Sequence, residues 1–184
     1  LVNRVAAMTD RYRQGRVVSS GGGALAAVAA GQVTAYRDAM DRLALHEAAA
    51  AAFRLVSAAN EFIAETQPWA LAKDPAQAER LTSVLADAAE AVRIAGVLLA
   101  PIMPASSAEI VRRMGDTRPS ALWRFDVDTA WRGSGERQIL NAGALWPRIE
   151  DKGVVTVTDE TKKDSETAGA SGASGASSAS GAAA

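Results

Sequence analysis

The chain has 184 residues, 48% of them hydrophobic and 22% charged, with a formal net charge of -1 and a pI near 5.9. That length suffices for one domain with a proper core plus a tail, and the charge balance excludes a general polyanion binder, which carries a basic surplus. There is no cysteine and one histidine, His46, which excludes disulfides, thiolate metal sites and any motif that needs two histidines.

Leu1, Val5, Met8 and Tyr12 recur at helical spacing, and Gly15 is placed to cap that first helix. From Val17 to Gly31 the chain is small and glycine-rich, with Gly21-Gly22-Gly23. This predicts a flexible connection with at most an Ala-rich turn of helix. A long helical region follows from Val33 to Thr66. Tyr36, Met40 and Leu43 form one stripe; Leu45, Ala49, Phe53, Val56, Asn60 and Ile63 form another. The region is long for one globular helix, so a break is expected near Ala44 to His46.

The region ends at Gln67-Pro68-Trp69. Proline lacks an N–H and crowds the residue before it, so the helix stops there. Trp69 is left at a rigid corner. From position alone it is either a core indole that staples the break or a flat face presented outward for stacking on a nucleic-acid base.

The next helix is predicted from Pro75 to Ala100, with Asp74 as N-cap and Pro75 at the first helical position. Leu81, Val84, Leu85, Ala88, Val92, Ala95 and Leu99 make its apolar face. Pro101 and Pro104 end it. Ser106 or Ser107 is placed to cap a short helix through Met114, closed by Gly115. The whole reads as all-α, an antiparallel helical bundle. Residues 116–150 carry Trp123, Phe125, Trp131 and Trp146 without helical spacing. They are expected to form an irregular strap across the bundle, with the tryptophans in packing. Residues 167–184 are almost wholly Ala, Gly and Ser, which predicts a disordered tail. The expected domain boundaries are 1–150 for the bundle and 151–184 for the tail.

No apolar run approaches the ~20 residues that span a bilayer, and the start has no signal-peptide progression. A cytoplasmic location is expected. Leu1 reads as the middle of a helix, so the chain is expected to be a fragment whose N-terminal part is missing. Chemistry is sparse. Gly21-Gly22-Gly23 lacks the Lys-Ser/Thr of a phosphate loop, and no GxSxG elbow occurs. His46 reads as a partly exposed helical residue. The carboxylates are scattered as on solvated helix faces. No catalytic centre is proposed by these residues.

Three segments together carry a resemblance: Leu1-Val2-Asn3-Arg4-Val5, Asn60 through Lys73, and Leu145 through Glu150. The helix end Leu98-Leu99-Ala100-Pro101-Ile102-Met103-Pro104 joins them in the same order. This arrangement resembles the C-terminal anticodon-binding region of methionyl-tRNA synthetases, over about residues 1–150. The family's first-helix pattern is Asn-Leu-x-x-Arg; its Asn would lie just before Leu1, and Arg4 matches its Arg. The closing motif has Trp146 where Phe is usual. The resemblance implies a helical bundle that recognises the anticodon of the methionine tRNA, within a ligase that charges that tRNA with methionine using ATP. The family's adenylating motifs, His-Ile-Gly-His and Lys-Met-Ser-Lys-Ser in type, do not occur here. ATP and the zinc of many members are therefore expected in the missing catalytic part.

For single residues the resemblance implies the following. Trp69 stacks on an anticodon base. Pro68 sets its angle. Arg4 contacts a base, a role its planar donor fork suits. Asn60 is either an RNA contact or an internal partner for the turn backbone. Lys73, Arg11, Arg13 and Arg16 could add a modest phosphate-facing patch. Trp146 is a candidate contact for the catalytic part. Two alternatives stay open: the anticodon domain of another class I synthetase, such as one for cysteine or valine, and a helical interaction module without RNA.

Overall fold

The computed structural model describes residues 1–19 and 21–147. The expectations for Arg148-Ile149-Glu150 and for the Ala/Gly/Ser-rich tail lie outside the described residues.

Helix α1 (Val2–Arg13) buries Val5, Ala6 and Thr9 along one face. It ends at Gln14 (φ 53°) and Gly15 (φ 80°), both left-handed, which turn the chain out of the helix. Strand β1 (Arg16–Val18) follows and pairs antiparallel with β2 (Glu136–Gln138), Val17 lying opposite Arg137. This small ribbon is absent from the all-helical expectation. Strands of three residues have too few positions to show a period of two, and here they meet from opposite ends of the domain.

Helix α2 (Gly23–Asp41) corrects a second expectation. From Gly23 to Gly31 the stretch is not a flexible connection but the first half of a 19-residue helix. Leu25, Ala29, Tyr36 and Ala39 give it a buried face, which outweighs the ~1 kcal/mol that a glycine costs in mid-helix. The break comes at Arg42–Ala44, overlapping the expected place at Ala44, with Leu43 left-handed (φ 59°). Helix α3 (Leu45–Thr66) returns along α2 as a helical hairpin. Its buried Ala48, Ala51, Ala52 and Ala59 keep the two helices close.

After the corner come α4 (Pro68–Leu71), a 3₁₀ turn (Pro75–Gln77) and α5 (Ala78–Leu98). Asp74 caps the turn as expected, accepting from the Ala76 N–H at 2.9 Å. Every residue from Val84 to Leu98 is buried. Helix α5 is the axis of the fold and packs against α1, α2, α3, α4 and β1; a helix buried all round is a core helix. Helix α6 (Pro104–Arg113) also lies against it. Its N-cap is Met103, not Ser106 or Ser107, because Pro104 takes the first helical position that its missing N–H suits. Gly115 closes it at φ 87°. No helix among the described residues is long and apolar enough to cross a membrane.

The strap contains a 3₁₀ turn (Ser120–Leu122), helix α7 (Phe125–Asp128) and β2. Phe125 stacks on Tyr36 of α2 with ring centroids 5.8 Å apart, and Arg37 sits over the same Phe125 ring at 4.9 Å. Trp131 lies against the start of α2. A Cβ added at Gly22 (φ 79°) would fall 2.3 Å from the Trp131 ring. Gly22→Ala therefore meets both a left-handed backbone and a clash, and should cost ~1–3 kcal/mol. A urea denaturation curve of that variant with an unshifted midpoint would contradict this packing.

Candidate nucleic-acid interface

The Trp69 corner is built by backbone geometry. The Gln67 N–H still donates to Ile63 O at 3.1 Å, as the last bond of α3, while Gln67 itself turns left-handed (φ 45°). Its carbonyl then accepts from the Ala70 N–H (2.7 Å) and the Leu71 N–H (3.2 Å), opening α4. Pro68 is buried at the first helical position, where its fixed φ suits a new helix. Trp69, the next residue, keeps 39% of its surface exposed.

Arg4 comes to this corner from the first turn of α1. Its guanidinium carbon lies 5.6 Å from the centroid of the Trp69 ring, and Arg4 is itself exposed. This is a cation–π contact on an open surface. A planar cation against an exposed indole suits a flat aromatic, anionic polymer: one group stacks, the other donates to base edges or phosphate.

Asn60 is placed differently. Its side-chain amide donates to Val56 O at 3.1 Å, one turn back along α3, and the residue is only half-exposed. Its observed bond serves the helix. Two of the four residues of the basic patch are also engaged with protein. Arg13 donates to Thr82 Oγ1 (2.7 Å) and Ala78 O (2.5 Å), clamping the end of α1 to α5. Arg16 pairs with Glu136. Arg11 lies over Tyr12 at 5.7 Å, and Lys73 is exposed. His46 points to solvent with its side chain 86% exposed, 3.9 Å from Glu47.

Trp146 is 64% exposed, which corrects its assignment to packing within the bundle. Its indole N–H donates to Ser106 Oγ at 3.1 Å. With Leu1, Phe53, Leu99, Met103 and Leu145 it lines an apolar groove of about 320 Å³.

The expectation of carboxylates on solvated faces fails in the interior. Glu90 of α5 is 1% exposed and accepts from Arg93 (2.6 Å to Nη2), from the Arg132 N–H (3.0 Å) and from Arg137. Arg93, fully buried, also donates to Asp128 O (2.5 Å) and Ala130 O (2.9 Å). Asp116 and Asp128 share Arg118, and Arg132 joins Asp116. The bonds of Glu90 and Arg93 fasten the strap to α5, and the Asp116, Arg118, Asp128 and Arg132 pairs brace the strap itself. Burial by itself would raise the Glu90 carboxyl, but the bonds and charge of Arg93, with Arg137 and the Arg132 N–H, hold it below the usual range. Glu90 and Arg93 lie three positions apart on α5, a spacing equally common for an exposed helical pair.

A family model for the anticodon binding domain of methionyl tRNA ligase matches residues 14–164. The chain belongs to this family. A methionine–tRNA ligase of Bacillus subtilis is 35% identical over 156 residues, covering 82% of this chain and 23% of that enzyme. One from Lactiplantibacillus plantarum is 32% identical over 177 residues, covering 88% and 26%. Mycobacterium tuberculosis methionyl-tRNA synthetase, solved with methionyl-adenylate, superposes with a TM-score of 0.70 at 28% identity, over 79% of this chain and 30% of that one. The chain thus spans about a quarter of the curated relatives it matches. The methionyl anticodon-binding fold accounts for the helical bundle, and membership of this family goes against both a cysteine or valine synthetase origin and a helical module without RNA.

Proposed function

We propose that the Arg4–Trp69 corner of this anticodon-binding domain contacts the CAU anticodon of the methionine tRNA. The parent protein is then a cytoplasmic methionine–tRNA ligase, which couples methionine to that tRNA with ATP. In this reading ATP, and zinc where an enzyme of this kind carries it, are held outside the domain. The observation that carries the reading is the exposed indole, fixed by Gln67 and Pro68, with a cationic side chain from a second helix against it. Trp69 stacks on one base, Pro68 sets its angle and Arg4 donates to a base edge. Asn60 supports the corner through α3.

Trp69→Ala should weaken binding of an RNA hairpin with a CAU loop by ~1–3 kcal/mol, the value of one base–aromatic stack. Its exposure means the domain stays folded. Fluorescence anisotropy with the labelled hairpin measures the affinity, and circular dichroism checks the fold. Unchanged affinity in a folded variant would overturn the assignment. Arg4→Ala should narrow the difference between CAU and altered loops. A uniform loss with a shallower salt slope would mean that Arg4 meets phosphate instead.

A further inference from the structure

We propose that Arg113 is a positioning residue for anticodon recognition: by clamping Asn3, it holds the first turn of α1 so that Arg4 faces Trp69. The inference rests on the function proposed above. The sequence does not mark Arg113, which reads as one of two adjacent arginines at the end of a short helix.

Its surroundings are specific. The Arg113 side chain is only 6% exposed. Its Nε donates to Glu109 Oε1 at 2.7 Å, one turn back in α6. Its Nη1 donates to Asn3 Oδ1 at 3.1 Å and to Gly143 O at 2.7 Å. Its own carbonyl accepts from the Leu140 N–H at 2.8 Å. Arg113 thus ties together α6, the end of the strap and the start of α1.

Asn3 immediately precedes Arg4 in the first turn of α1. The far end of α1 is fixed by Arg13, but Arg4 sits more than two turns away from it. Near Arg4 the backbone is anchored by buried Val5, and the Arg113–Asn3 hydrogen bond adds a polar clamp on the same turn. Glu109 keeps the guanidinium oriented, and its bonds to Arg112 and Arg113 hold its carboxyl at about 2, so it stays charged throughout the neutral range.

The test uses the full 184-residue chain. In Arg113→Met, affinity for the CAU hairpin should fall about three- to tenfold and discrimination against altered loops should narrow, as in Arg4→Ala; a tenfold change is ~1.4 kcal/mol. The ¹⁵N–¹H indole resonance of Trp69, assigned through Trp69→Phe, should move toward its position in Arg4→Ala. Asn3→Ala should reproduce both changes, and the double variant should be no worse than either single one. A purely structural Arg113 would lower the melting temperature and leave the resonance and the discrimination unmoved; that result overturns the proposal. If Arg113→Met fails to fold, Asn3→Ala alone decides, and an unchanged resonance and affinity overturn it. If Arg4→Ala and Trp69→Ala are themselves silent, the function reading has failed; if they act and Asn3 and Arg113 do not, only the positioning role has.

Discussion

Glu90→Gln is expected to destabilise the domain by roughly 3–5 kcal/mol, the cost of breaking a buried ion pair from one side. Glu90 is the acceptor on which Arg93, Arg137 and the Arg132 N–H converge. Without its charge, Arg93 and Arg137 stay buried and uncompensated; two Arg137 donor atoms already have no hydrogen-bond partner among the described residues. For a domain of this size each kcal/mol corresponds to ~2–4 °C of melting temperature, so thermal unfolding followed by circular dichroism should shift by about 10 °C. Arg93→Met alone should be damaging too, because it leaves Glu90 charged in the core. Glu90→Leu with Arg93→Met should recover part of the loss, since an apolar pair of similar volume removes both desolvation penalties. A Glu90→Gln variant as stable as the parent would show that the network does not hold the strap.

Acid should unfold the domain through the same charges. Asp116 and Asp128 are buried, which by itself would raise both carboxyls. For Asp116 the bonds of Arg118 and Arg132 outweigh burial; for Asp128 the Arg124 N–H and Arg118 do. Both end below the usual range, as does Glu90. A carboxyl depressed in the folded state contributes stability that is fully present above its unfolded pKa, about 4. That stability is lost as pH falls through the folded value, because the unfolded chain then binds more protons. The urea midpoint should therefore stay level from pH 8 to 5 and drop steeply from 5 toward 2. Each charged hydrogen bond is worth ~1.5–3 kcal/mol, so the summed loss exceeds that of most single substitutions. Asp128→Asn should be less stable at pH 7 and should show a smaller drop between pH 5 and 3. An equal drop in that variant would remove Asp128 from the explanation.

The parts that could be read from the chain were those with long periods or strong breakers. The apolar face of α5, the Asp74 cap, the hairpin break before Leu45 and the Pro68 corner all follow from local rules. That Arg4 lies over Trp69 needed the fold, because α1 and α4 are far apart in the chain. The ribbon stayed hidden because each strand has three residues. The start of α2 stayed hidden because Gly22 and Gly31 look like breakers, whereas one caps the helix and the other faces open space. The ionic interior was missed because Glu90 and Arg93 resemble any exposed helical pair until α5 is known to be covered on every side. Arg113 gave no signal, since its partners Asn3 and Gly143 come from distant segments.

The β1–β2 ribbon also has a meaning in time. Arg16 and Glu136 are 120 positions apart. At ~5–20 residues per second of synthesis, β1 waits about 6–24 s for its partner to be made. For most of that interval α5 can gather its helical neighbours while Arg93 and Glu90 still lack their strap partners at 128–137. Closure of the charged core is expected late in translation, set by arrival of the strap, and a ribosome stalled before residue 128 would leave Glu90 and Arg93 without their strap partners.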